Sequence, residues 1–145
     1  MTQNKFKMKE EWTVLHGEHN HTPIIIRLNT GCKEIMGSEN YSFRMGIALP
    51  FLKPQTDGFP SKEEKINLDL IENEIFEIFQ ENDFSIISAI ITTNNMIEFM
   101  IYISDEKSAE GRINMIGSKH PSYKFQCYIV EDKDWNGYKD FLINK

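Results

Sequence analysis

The clearest pattern in the chain is a strict alternation. Tyr41, Phe43, Met45, Ile47 and Leu49 fall on one side, and Ser42, Arg44, Gly46 and Ala48 on the other. A period of two over nine residues predicts a half-buried strand. Upstream, Glu11–Leu15 reads as a short strand and His16–His21 as a turn. Pro23 then opens a second strand, Ile24–Asn29, because a proline at a strand's first position forfeits no ladder donor. The two predict an N-terminal hairpin pinned by the area of Trp12. Gly31–Asn40 reads as a loop, as does the stretch after Leu49, where Pro50, Pro54, Gly58 and Pro60 cluster.

The period changes to helical at Ser61. Ser61-Lys62-Glu63-Glu64 has the capping-box form, and Leu68, Ile71, Ile75, Ile78 and Phe79 follow as one apolar face. Asn82-Asp83 ends this helix. Phe84–Thr93 is apolar on both sides, as a central strand requires. Phe84, Ile86 and Ile90 are expected on one face, with Ile87, Ala89 and Ile91 on the other. Asn94-Asn95 predicts a type I′ turn into Met96–Ser104, with Ile97, Phe99, Ile101 and Ile103 inward and Glu98, Met100 and Tyr102 outward. A second helix is expected over Asp105–Ser118 on Ala109, Ile113 and Ile116, weakened at Gly111 and stopped by His120-Pro121. Ser122–Val130 reads as the last strand, and Asp132–Ile143 as a short closing helix that docks Trp135 and Tyr138 on the body.

From Tyr41 onward the order is β-α-β-β-α-β. The expected fold class is α+β, a ferredoxin-like split core with an N-terminal β-hairpin and a short C-terminal helix. Right-handed crossovers would place both main helices on one face of the sheet. The other face, carrying Arg44, Glu98, Tyr102, Lys124, Gln126 and Tyr128, is then expected to be open. Residues 1–10 are expected to be a flexible terminus and residues 11–145 a single domain.

The chain has 145 residues, 40% of them hydrophobic, which suits one globular domain rather than a disordered chain. Lys plus Arg number 16 and Asp plus Glu 22, a net charge of −6. That balance argues against non-specific nucleic-acid binding and against docking on anionic membranes. The charge is also unevenly placed. Between Ser61 and Asp83 lie eight acidic and two basic residues, so this segment carries the whole surplus. Two cysteines, Cys32 and Cys127, form no CxxC pair and read as free thiols. The N-terminus lacks the apolar stretch of a signal peptide, and no apolar run approaches the ~20 residues of a membrane span, so a cytoplasmic protein is expected.

Several short motifs recur in the same order in a known family. These are Trp12 in the opening strand, Arg27-Leu28-Asn29-Thr30-Gly31, and Gly58-Phe59-Pro60 before a helix carrying Glu64, Leu68 and Glu72. Phe99 and Tyr102 follow, and then a closing Asp132-Lys133-Asp134-Trp135-Asn136-Gly137-Tyr138. Over about Glu11 to Leu142 the chain resembles the bacterial domain of unknown function numbered 695. That family is similar in fold to the ribonuclease E inhibitor proteins of type B. The resemblance implies a regulatory fold and supplies no active site. Trp12, Arg27, Asn29, Asp132, Trp135 and Tyr138 are its structural motif residues.

Candidate chemistry is sparse. His16, His19 and His21, with Glu18, are the one group with metal-ligand residue types, but the preferred reading is a solvated polar turn and no metal is expected. No nucleophile elbow, P-loop or dinucleotide fingerprint is present, and nothing calls for a cofactor. Arg27 and Arg44 are expected to pair with Glu98 across the sheet, or to clamp an anion. The expected role is a non-catalytic protein-binding or regulatory module with a basic partner. The candidate contacts are Glu63, Glu64, Glu72, Glu74 and Glu77 on the acidic helix, and Arg44, Glu98, Tyr102 and Tyr128 on the open face. Inhibition of an RNA-processing enzyme and immunity to a secreted toxin are narrower forms of that role. A small-ligand binder or enzyme using the open face is the rival. An exposed sheet edge would also permit a homodimer.

Overall fold

The computed structural model describes residues 9–80 and 84–143. Its strands are β1 (Trp12–His19), β2 (Thr22–Asn29), β3 (Phe43–Pro50), β4 (Ser85–Thr93), β5 (Met96–Ile103) and β6 (Gln126–Glu131). The helices are α1 (Lys62–Phe79), α2 (Glu106–Lys119) and α3 (Asn136–Ile143), with a short 3₁₀ turn at Thr30–Glu34. The fold is α+β. One sheet runs in the order β1-β2-β4-β5-β3-β6, and every neighbouring pair is antiparallel.

The tight turns follow from asparagine. Asn94 and Asn95 both have positive φ, as the I′ expectation required. The first hairpin uses the same device at Asn20 and His21 (φ 54° and 68°), so β1 runs on to His19 where a six-residue turn was expected. His16, Gly17 and Glu18 therefore pair with Ile25, Ile24 and Pro23.

The sheet has an apolar layer on each face. Leu68, Ile71, Ile75 and Phe79 of α1, with Ala109, Ile113 and Ile116 of α2, pack on Met45, Ile47, Leu49, Ile97, Phe99, Ile101 and Ile103. The second layer gathers Leu28, Cys32, Ile86, Ala89, Met100, Tyr102, Trp135 and Tyr138. Simple alternation misassigns β4, because a bulge between Ile87 and Ala89 inserts one residue into the ladder. Ile87 and Ile90 thereby share the helix side, while Ile86 and Ala89 share the other. Ser88 at the bulge bonds the Met100 carbonyl at 2.9 Å.

Three further expectations shift. Tyr41 precedes β3 and joins the second layer. The last strand starts at Gln126, four residues late, because a turn from His120 swings Tyr123 into the main core first. The closing helix starts at Asn136, after Trp135 takes positive φ. The expectation of a flexible 1–10 falls largely outside the described residues. Of those that are described, the Lys9 carbonyl presses on Gly31, where any Cβ would overlap it, and Glu10 accepts the Trp12 indole N–H at 2.9 Å.

The capping box forms by half. Ser61 accepts the Glu64 amide at 3.1 Å, but the Glu64 carboxylate does not reach back. It turns inward, 5% exposed, and accepts Leu52 N–H (2.6 Å), Lys53 N–H (3.0 Å) and Tyr123 O–H (2.9 Å). One side chain thus ties α1 to the loop after β3 and to the segment before β6. Glu64→Gln places an amide N–H₂ among these donors. It should cost about 2–4 kcal/mol in urea unfolding, from buried donors left unpaired. A loss under about 0.5 kcal/mol, the scale of an ordinary surface change, would refute this role.

Candidate functional site

The far face of the sheet was expected to lie open around Tyr102. It is covered. Trp135 stacks on Tyr102 with ring centroids 3.8 Å apart and planes 7° off parallel, and Tyr138 meets Trp135 edge-on at 5.6 Å. All three rings are fully buried, so Tyr102 is not a surface contact. Met100, Ile86 and Leu28 give this face apolar area that water would otherwise wet, and the aromatic pair supplies the cover.

Asp132 organises this closure. Its carboxylate accepts the Tyr102 hydroxyl at 2.7 Å and the Asn136 and Gly137 amides at 2.8 and 3.0 Å, holding the first turn of α3. Arg44 approaches at 3.4 Å, and its guanidinium lies where a Cβ on Gly137 would be. The Tyr102 oxygen in turn accepts Tyr138 N–H at 3.1 Å. The Trp135 indole donates to the Tyr41 carbonyl at 2.8 Å, and the Tyr138 hydroxyl donates to the Asn29 carbonyl at 2.7 Å. Burial works to raise the Asp132 pKa. Hydrogen bonds from Gly137, Tyr102 and Asn136, then the Arg44 charge, outweigh it and hold the carboxyl below its ordinary value. Tyr102 is driven strongly the other way, by burial first and then by its bond to Asp132.

The remaining motif residues are also structural. Arg27 makes a two-pronged pair with Glu72 of α1 at 2.9 and 2.7 Å, where pairing with Glu98 was expected. Asn29 is fully buried, donates to the Ile87 carbonyl at 3.2 Å and accepts Glu11 N–H at 3.3 Å. Trp12 packs on Phe76 of α1 at 5.8 Å. Gly58 at φ 82° lets its carbonyl accept Asn95 N–H at 2.9 Å, fastening the long loop to the β4–β5 turn.

This geometry divides the expected contact residues. Glu64 is buried, Glu72 is held by Arg27, and Glu74 meets His120 at 3.0 Å. Glu63 and Glu77 stay exposed, Glu63 with Lys53 at 3.6 Å. On the far face Glu98 binds the Tyr128 hydroxyl at 2.9 Å, and Arg44 is committed to Asp132 instead of Glu98. Burial and then Glu98 push the Tyr128 pKa up to about 12. The Tyr128 ring lies over Gly46, in the space of a Cβ. Among the described residues no three His, Cys, Asp or Glu side chains could hold a metal; the His19 side chain lies outside them.

Pattern reading missed two features. Ile66 and Leu70 stand exposed on α1, 65% and 55%, one turn apart and off the buried stripe. Their i, i+4 spacing was the available signal. The second is a cleft of about 340 Å³ lined by Leu52, Lys53, Glu63, Glu64, Asn67 and Tyr123. Both Glu64 oxygens there are already engaged, so the carboxylate is an anchor rather than a base.

A carboxyl held low in the fold contributes stability above its unfolded pKa and loses it as pH falls through the folded value. The Asp132 contribution should therefore be present above about pH 4 and be lost progressively as pH falls below it, through the lowered folded value. Urea titrations from pH 5 down to pH 2 should show Asp132→Asn less stable at pH 5, with a shallower acid slope than the parent. Parallel slopes would contradict the clasp.

A family model matches residues 10–143, and its description is "Family of unknown function (DUF695)". Searches of curated proteins and of solved structures returned no significant match. With nearly its whole length inside that match, the chain belongs to the DUF695 family, a family of unknown function.

Proposed function

We propose that the chain is a non-catalytic protein-binding or regulatory module with a basic partner. The observation that carries this reading is the exposed side of α1. Ile66 and Leu70 form an apolar pair there, with the carboxylates of Glu63, Asp69 and Glu77 near them on the same helix. An apolar centre with a charged rim suits an interface in which the rim steers and the centre holds. The buried carboxylates support the same reading from the other side. Glu64 and Asp132 are spent on holding loops and a helix, which leaves them unsuited to proton transfer.

The run β6-β3-β5-β4 within the sheet supports a ferredoxin-like core, the fold that the resemblance to ribonuclease E inhibitors implies. Neither Cys32 nor Cys127 is in a disulfide, which supports a reducing, cytoplasmic setting. Among the described residues no helix is long and apolar enough to cross a membrane. The family resemblance supports a bacterial source.

The test is affinity capture from native lysate with the parent, with Ile66→Asp/Leu70→Asp and with Glu63→Lys/Glu77→Lys. All these positions are exposed, so melting temperatures should stay near the parent's. The parent should recover one specific protein. Each double variant should lose it, since removing an interface anchor costs about 2 kcal/mol. Equal recovery by the variants, or no specific protein with the parent, would count against the reading.

A further inference from the structure

The last strand of the sheet ends on a free edge. β6 pairs with β3 on one side, and among the described residues no strand follows it on the other. Its backbone polarity follows from one hydrogen bond. The Asp132 amide donates to the Ser42 carbonyl at 2.8 Å, one step beyond the Phe43–Glu131 pair. Antiparallel ladders alternate, so residues 126, 128 and 130 turn their N–H and C=O toward β3. Cys127, Ile129 and Glu131 turn theirs outward. Five of the six β6 residues are exposed, and the strand holds no Lys, no Pro and no bulge to blunt pairing.

Beside this edge runs a groove of about 360 Å³ between β6 and α2, lined by Glu106, Glu110, Ile113, Asn114, Cys127 and Ile129 among others. Glu106 and Glu110 are exposed, and no ion pair engages either of them among the described residues. They stand one turn apart, about 6 Å along the helix. Alternate side chains of a strand stand about 6.8 Å apart. The two carboxylates therefore match cations at positions i and i+2 of an extended chain. The Glu110 charge reaches the strand: burial first and then Glu110 raise the Cys127 thiol pKa.

We propose that this edge receives an extended segment of a partner protein, carrying Lys or Arg at alternate positions, as a seventh strand. A second copy is the poorer fit. Its β6 would present Cys127, Ile129 and Glu131 to the groove, which offers no cation and sets Glu131 against the acidic wall. The inference rests on reading the chain as a binding module, but it uses a different surface from α1.

The test uses the full chain and a short fluorescein-labelled peptide alternating Lys and Val at physiological salt. A matched peptide N-methylated at alternate amides is the control. Binding should be saturable, and hydrogen exchange should slow at the Cys127, Ile129 and Glu131 amides. Cys127→Pro removes one outward N–H and leaves the β3 ladder intact, which the protection of Gln126 and Tyr128 checks. It should weaken binding about tenfold, as should Glu106→Gln/Glu110→Gln and peptide N-methylation. Ile66→Asp/Leu70→Asp should bind the peptide like the parent, so failure of the α1 reading would show separately. The proposal falls if the parent shows no saturable binding. It also falls if the N-methylated peptide binds equally well, or if protection appears elsewhere. Sedimentation showing a dimer that Cys127→Pro dissolves would assign the edge to a second copy and overturn it.

Discussion

A sheet that is apolar on both faces has to be covered twice, and the second cover is the constraint on which this fold turns. β4 and β5 present Ile87, Ile90, Phe99 and Ile101 to the main helices and Ile86, Ala89, Met100 and Tyr102 to the other side. The second set would be wetted if the chain stopped after β6. Trp135 and Tyr138 cover it, and Asp132 sets their approach by binding Tyr102 and the first turn of α3 at once. The same clasp commits Arg44, narrows the far face to a strip around Glu98, Tyr128 and Val130, and leaves β6 as an edge.

Charge follows the same logic. The carboxylates of the acidic segment were expected to act together as partner contacts, but they do different work. Glu64 gathers three donors inside, Glu72 holds Arg27, and Glu74 holds His120. Glu63, Asp69 and Glu77 remain outside beside Ile66 and Leu70. A buried acceptor with three partners is valuable to the fold because losing it strands donors. Exposed carboxylates such as these, even where Asp69 pairs with Lys65 and Glu63 with Lys53, contribute little to stability and can act on a partner.

Much of this was legible from the residues. The period-two run over Phe43–Leu49, the Asn94-Asn95 turn, the Ser61 cap and the stripes of α1 and α2 are local codes, and the structure follows them. The β4 bulge was hidden because a run apolar on both sides carries no parity for alternation to reveal. The continuation of β1 through His16–His19 was hidden because polar edge residues look like a turn. The site residues were harder. Arg27 could have met Glu98 or Glu72, and only the placement of α1 over the sheet decides for Glu72.

By itself the sequence determined the element types, the α+β class, the single acidic segment and the apolar inward faces, because each is set by neighbours three or four residues away. The tertiary structure alone decided which carboxylates are buried and which face is covered. It also decided which strand ends as an edge. Those outcomes depend on contacts between residues far apart in the chain, such as Tyr102 with Asp132 and Tyr138 with Asn29. No local pattern encodes such contacts, since the energy of each appears only once the sheet has brought the partners together.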